Sequence, residues 1–87
     1  KASFSAYIEG AAAIRLDREA QYTLVGTAEL ESSATFTIDT ELATIIQTTD
    51  TSCVVRANDK NKLGSFTLTA NYNNIDYTKE ISIIPLW

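Results

Sequence analysis

Histidine is absent from this 87-residue chain. That absence removes the commonest general base at neutral pH and the residue that orients a nucleophile in a triad. Cysteine occurs once, at Cys53, so no internal disulfide can form and a nucleophilic thiol would have no imidazole beside it. Zinc has no ligand set for the same two reasons. The simplest role for Cys53 is a small buried hydrophobe in a strand. A reactive thiol needs an electropositive pocket, and only nearby Arg56 speaks for one. Glycine occurs three times and proline once, and no glycine-rich loop of the phosphate-cradling kind is present. There is no initiator methionine and no signal-peptide pattern, and no segment approaches the roughly 18 apolar residues that span a membrane. A basic stripe is missing too. The net charge is −4 and the pI about 4.5, which repels a phosphate backbone and argues against nucleic-acid binding.

What remains is a composition made for strands. Hydrophobic residues make up 45% and charged residues 21% of the chain, with threonine, valine and isoleucine prominent, a mix that favours sheet over helix. Residues 1–87 are read as a single domain, since a chain this short buries roughly 60–65% of its extended surface and sustains one core only. The charged Lys1 start and abrupt Trp87 end read as a piece cut from a longer protein.

The clearest element is the last quarter, Gly64 to Ile84. Phe66, Leu68, Ala70 and Tyr72 alternate with Thr67, Thr69 and Asn71, the period of a strand with one buried face. Asn73-Asn74 follows, and asparagine tolerates positive φ. A two-residue turn there pairs Tyr72 with Ile75, Ala70 with Tyr77 and Phe66 with Ile81, leaving Thr67, Thr69, Thr78, Glu80 and Ser82 on the other face. Only Lys79, opposite Leu68, breaks the pattern. Either it snorkels at a sheet end or the turn is longer than two residues.

The rest of the chain follows in short segments. Ser3 to Ile8 alternates Phe4, Ala6 and Ile8 against Ser5 and Tyr7, a first strand broken by Glu9-Gly10. Ala11 to Ala20 contains good helix formers, but Ala12, Ile14 and Leu16 alternate, which predicts a short edge strand through Leu16 and a polar turn at Asp17-Arg18-Glu19. Gln21 to Gly26 turns Tyr22 and Leu24 inward. Thr27 to Ser33 is a polar loop, and Ala34 to Ile38 is a strand with Ala34, Phe36 and Ile38 on one face. Leu42 to Ile46 is a strand ending by Thr48. Ser52 to Ala57 is another, with Cys53 and Val55 on one face and Val54 and Arg56 on the other. Asn58 to Lys62 is the most hydrophilic loop, and Pro85 ends pairing because it has no N–H to give. Seven or eight short strands separated by turn signals predict an all-β sandwich. The predicted core is Ile14, Leu16, Tyr22, Leu24, Phe36, Ile38, Ile45, Cys53, Val55, Phe66, Leu68, Ala70, Ile81 and Ile83.

Chemistry is sparse. Glu29, Glu31, Asp39 and Glu41 fall in predicted loops, where carboxylates are ordinarily just solvated. No catalytic residue is assigned, and the chain is read as a protein that is not an enzyme. Asp39, Glu41, Asp50 and Asp59 are the carboxylates that loop ends could gather for calcium, but no Asp-x-Asp-x-Asp spacing supports it, so no metal and no cofactor is assigned. Sugar binding is the live alternative. Tyr7, Tyr72, Tyr77 and Trp87, with Asn71, Asn73, Asn74 and Asp76, have the composition of a glycan platform, although Tyr72 and Tyr77 fall on the predicted inner face, where large aromatics fill cores.

The order of these segments resembles the bacterial immunoglobulin-like domains of group 2, the family also found in invasin and intimin. Ile14-Arg15-Leu16 matches the family's first element and Gln21-Tyr22-Thr23-Leu24 its second. Ala34-Thr35-Phe36-Thr37 matches the third, Leu42-Ala43-Thr44-Ile45 the fourth, Gly64 to Ala70 the glycine-led strand, and Ile81-Ser82-Ile83 the last. The likeness spans about residues 12 to 84. Phe36 stands where the family usually has tryptophan, and Thr51-Ser52 replaces a glycine that commonly precedes the fifth strand. The resemblance implies an immunoglobulin-like β-sandwich of about seven to eight antiparallel strands. It further implies a non-catalytic structural or display module of a phage tail or capsid protein, located in the virion and aiding weak adhesion to a host cell surface. The alternative it leaves open is a carbohydrate-binding or adhesive module of a bacterial cell-surface or secreted protein. The partners implied are other domains of the parent protein and a cell-surface glycan, with no nucleic acid and no membrane insertion.

Overall fold

A computed structural model describes residues 4–57 and 63–85. Within them the chain forms eight strands and no helix: β1 (Ala6–Glu9), β2 (Ala13–Arg15), β3 (Glu19–Gly26), β4 (Thr35–Ile38), β5 (Ala43–Thr48), β6 (Ser52–Ala57), β7 (Gly64–Tyr72) and β8 (Ile75–Ile84). Two four-stranded sheets result, in the orders β1-β3-β6-β5 and β2-β8-β7-β4. The expectations placed on Ser3, the Asn58–Lys62 loop with Asp59, and Trp87 lie outside the described residues.

The β7–β8 hairpin has the register that the alternation predicts. Tyr72 pairs with Ile75, Ala70 with Tyr77, Leu68 with Lys79 and Phe66 with Ile81. Asn73 and Asn74 take φ values of 53° and 65°, the two successive left-handed residues of a type I′ turn, whose twist matches that of the flanking strands. Replacing Asn74 by alanine is expected to cost about 1 kcal/mol, since a Cβ without a polar head is penalised in the left-handed region. Replacing it by glycine should be neutral or stabilising. Urea melts of the two variants check this, and an alanine variant as stable as wild type would contradict the turn assignment.

The short second strand is a strand, as its alternation predicts, but it is not antiparallel. β2 runs parallel to β8, pairing Ala13 with Ser82, Ile14 with Ile83 and Arg15 with Ile84, whereas β1 runs antiparallel to β3 in the other sheet. Residues 6–15 therefore divide between the two sheets, with Gly10 at the crossing. The expectation of wholly antiparallel strands is corrected by this pair. The next turn is tighter than predicted: Asp17 takes a φ of 60°, Arg18 N–H donates to Arg15 O at 3.0 Å, and Glu19 already belongs to β3, opposite Arg56.

The core lies between the sheets. Twelve of the fourteen residues predicted for it are buried; Ile38 and Ile45 are only half-buried. Ile38 ends the edge strand β4 and Ile45 lies on the edge strand β5 beside a bulge at Ile46, where the register shifts against β6. A bulge turns successive side chains off the strict two-residue alternation, and Ile46 consequently faces solvent. Ile8, Ala34, Ala43, Ala57 and Tyr72 complete the buried apolar set among the described residues. Phe36, standing where the resembled family has tryptophan, is buried on β4 opposite Ala70. Phe36→Ala is expected to cost about 3 kcal/mol, the lower end for a buried phenylalanine, because an edge strand can partly collapse into the void. A thermal melt superimposing on wild type would contradict this packing.

The β5–β6 turn closes without glycine. Thr49 N–H donates to Ser52 O at 2.8 Å, Ser52 N–H donates to Thr49 Oγ1 at 3.2 Å, and the two hydroxyls lie 2.6 Å apart. Side-chain oxygens thus supply the local bonds that a tighter glycine turn would make through backbone alone.

Candidate functional site

Three segments distant in sequence meet at the end of the molecule where the β7–β8 turn lies. The N-terminal segment is pinned to the β3–β4 loop, since Thr27 N–H donates to Ser5 O at 2.8 Å and Ser5 N–H donates to Thr27 Oγ1 at 3.1 Å. Phe4 is thereby laid over Gly26, where a Cβ would come within 2.7 Å of its ring. The ring of Phe4 also packs against that of Tyr72, with centroids 5.6 Å apart and planes tilted by 35°. The β3–β4 loop is fastened to the hairpin in turn, because Glu31 N–H donates to the Tyr72 hydroxyl at 2.8 Å. The same loop is tied to the β5–β6 turn: Ser33 Oγ donates to Asp50 Oδ1 at 3.1 Å and Ala34 N–H to Asp50 O at 2.7 Å.

Between these segments lies an open groove of about 370 Å³, lined by Phe4, Ala28, Glu29, Glu31, Ser32, Tyr72, Asn73, Ile75 and Tyr77. Phe4, Tyr72, Ile75 and Tyr77 give it aromatic and aliphatic surface, Glu29 and Glu31 two carboxylates, Ser32 and Asn73 neutral polar groups, and no lysine or arginine is among its described lining residues. Phe4 is 40% and Ile75 53% exposed, so apolar surface is presented to solvent at this end. Ile75 pairs with Tyr72 as the alternation predicts, and Phe4 packs against the same ring, but both stay exposed at this end rather than buried in the core.

The wall formed by Ile75 and Tyr77 belongs to an open sheet edge. β2 covers β8 only at Ser82–Ile84, so among the described residues the half of β8 nearer the turn has a partner on one side only, β7. Lys79 sits on the inner face of that half, opposite Leu68 and half-buried. A half-buried lysine in such a place keeps its stem on apolar surface and its charged head in water. An inward-pointing lysine on an open edge discourages another strand from adding there, which gives the one break in the hairpin's alternation a physical purpose.

The other sequence-predicted candidates divide. Of the glycan-platform set, Tyr72, Tyr77 and Asn73 line the groove. Tyr7 is exposed on β1 opposite Val25, and Asn71 and Asp76 pair with each other on the outer face, Asn71 Nδ2 donating to Asp76 Oδ1 at 2.8 Å. Asn74 serves the turn. Of the calcium candidates, Asp39 Oδ1 accepts from Thr67 N–H at 3.0 Å and Asp50 from Ser33. Among the described residues no group of three or more His, Cys, Asp or Glu side chains is gathered for a metal ion.

Cys53 is buried, opposite Tyr22 on the neighbouring strand. Burial pushes its thiol up to about 11 from 9.0, the reverse of an activated nucleophile. Arg56 does not face it. The alternation of β6 puts Arg56 on the outer face, where it contacts Asp17 at 2.7 Å and Glu19 at 3.5 Å, solvent-exposed pairs that contribute little to stability.

No family model, no curated protein and no solved structure matches this chain.

Proposed function

We propose that this chain is an immunoglobulin-like module of bacterial group 2 type, acting as a non-catalytic structural or display domain of a phage tail or capsid protein. The strand order carries the reading. In an immunoglobulin sandwich, strands A, B, E and D form one sheet and C, F and G the other. Here β1, β3, β6 and β5 take the first set of places and β4, β7 and β8 the second. β2 acts as a detached second half of strand A lying along β8. The segment order described above supports the group 2 assignment, and the short, disulfide-free form supports a virion module over a surface adhesin repeat.

Function in such a module is mechanical and depends on copy number. Many copies on one particle would turn a weak contact with a cell surface into adhesion, because each later contact is made at high effective concentration. The groove of Phe4, Tyr72 and Tyr77 favours a second reading, a carbohydrate-binding or adhesive module of a bacterial surface protein, since aromatic rings beside Asn73 have the make-up of a sugar subsite.

The test displays the domain on beads at high and low density and measures binding to whole bacterial cells and to purified cell-wall glycans. Density-dependent cell binding without measurable affinity of the free domain is the expected result. Saturable binding competed by one defined sugar would replace it with the carbohydrate-binding reading. Absence of cell binding at high density would remove the adhesive role and leave a spacer.

A further inference from the structure

The chemistry of the groove selects among ligands. A neutral sugar is recognised by polar groups that pair its hydroxyls, set beside one stacking ring. Here the polar lining sets two carboxylates, Glu29 and Glu31, among Ser32, Asn73 and the two tyrosines, and no cation is among the described lining residues to offset their charge. The same groove is lined by Phe4 and Ile75, both exposed, and by the half-buried Tyr77. Aromatic faces attract a cation electrostatically, and a flexible aliphatic stem ending in a charge matches an apolar wall below an acidic rim. The walls are also held in place before any ligand arrives, by the Glu31-to-Tyr72 and Thr27–Ser5 hydrogen bonds, which lowers the ordering cost of binding.

From this complementarity we propose that the groove is a docking site for a lysine- or arginine-bearing peptide segment of a partner protein. The cationic head sits at Glu29 and Glu31, and its stem with a neighbouring apolar side chain lies on Phe4, Ile75 and Tyr77. The volume, about 370 Å³, is at the small end for ligand sites and suits one or two side chains rather than a folded surface. The proposal rests on the non-catalytic display reading and names the contact that such a module would make. A single shallow site of this kind is weak, which is the regime in which multivalent display matters.

The test uses the whole 87-residue chain and a fluorescein-labelled, end-blocked peptide Ala-Lys-Phe-Lys-Ala, read by anisotropy. Its comparison probes are the same peptide with both lysines replaced by glutamate, and a labelled N-acetylglucosamine tetramer. The lysine peptide is expected to saturate and the glutamate peptide and the sugar not to. Raising salt from about 50 to about 500 mM should weaken binding severalfold, as it does for partly exposed charge pairs. The double variant Glu29→Gln, Glu31→Gln should weaken it roughly tenfold with an unchanged thermal melt. Ile75→Ser, at an exposed position, should weaken it with the salt dependence retained. No saturation by the lysine peptide, equal binding of the glutamate peptide, saturation by the sugar instead, or undiminished affinity of the double variant would each overturn the proposal. The assay requires no cell surface, so it can succeed while the bead experiment fails, and a bead result competed by sugar would fail the ligand class without touching the fold.

Discussion

Gly10→Ala is expected to lower stability by about 4 kcal/mol, a large part of the roughly 5–15 kcal/mol that holds a small domain together. Gly10 sits where the chain leaves the first sheet for the second, with a φ of +157°, which L side chains rarely adopt. A Cβ there would overlap the ring of Tyr22 at Cδ1, lie 2.7 Å from Cε1 and come within 2.9 Å of Gln21 O. None of these can retreat. Tyr22 is fully buried, its hydroxyl donates to Ala11 O at 2.6 Å, and Gln21 O is strand backbone. Backbone strain of about 1–3 kcal/mol adds to overpacking of a similar size. Gly64→Ala is the control. Its φ is also +157°, but among the described residues its Cβ would meet only Leu42 Cδ1, at 3.0 Å, the far end of a flexible side chain. Thermal and urea melts should rank wild type above Gly64→Ala and Gly64→Ala well above Gly10→Ala. Equal melts for the two variants would mean that the Tyr22 ring does not clamp the sheet-to-sheet crossing.

That crossing also marks the limit of what alternation encodes. A period of two tells which residues face inward, and at Phe66, Leu68, Ala70 and Tyr72 it told the register as well, because the two-residue Asn73-Asn74 turn leaves only one way to fold back. For Ile14 and Leu16 it told the buried face and nothing about the partner. A three-residue strand reads the same whether it runs parallel or antiparallel, and its partner β8 lies some seventy residues on, as the Arg15 pairing with Ile84 shows. The bulge at Ile46 was hidden for a related reason: Ile45-Ile46 is apolar at both positions, so the sequence holds no signal of which one turns outward. The groove was the least legible feature. Tyr72, Tyr77 and Asn73 were singled out by their type and Ile75 follows from the hairpin register, but Phe4 and Glu31 join them only where the N-terminal segment and the β3–β4 loop meet the hairpin. Phe4 and Ile75 each continue an apolar alternation past the point where the opposite sheet stops, and no local pattern marks that point.

Alkaline pH should destabilise the domain by about 5 kcal/mol between pH 9 and 12, through two neighbouring side chains in the core. Tyr22 and Cys53 are cross-strand partners on β3 and β6, and both are buried. Burial raises Tyr22 from 10.0 to about 12, with a smaller contribution from the nearby Cys53 thiolate, and burial raises Cys53 from 9.0 to about 11. In each case the folded protein holds the proton more tightly than the unfolded chain. Below pH 9 both groups are protonated in both states, and their contribution to stability is fully present. Above it the unfolded chain releases protons that the folded core retains, so stability falls, from pH 9 to about 11 for Cys53 and from 10 to about 12 for Tyr22. Two pH units for each group, with Tyr22 only half-titrated in the folded protein at pH 12, correspond to about 5 kcal/mol together. Urea titrations at intervals across pH 7 to 12 would measure the slope directly. Cys53→Ala should start lower at neutral pH, because it leaves a small cavity, and then stay flat from pH 9 to 10, where wild type declines. Tyr22→Phe, which gives up the hydroxyl bond to Ala11 O at a cost of about 1 kcal/mol, should keep the Cys53 decline from pH 9 to about 11, then level off, losing only the share that Tyr22 adds between pH 10 and 12. A Cys53→Ala variant that declined in parallel with wild type would show that the thiol is hydrated in the folded state, and the packing of β3 against β6 would need revision.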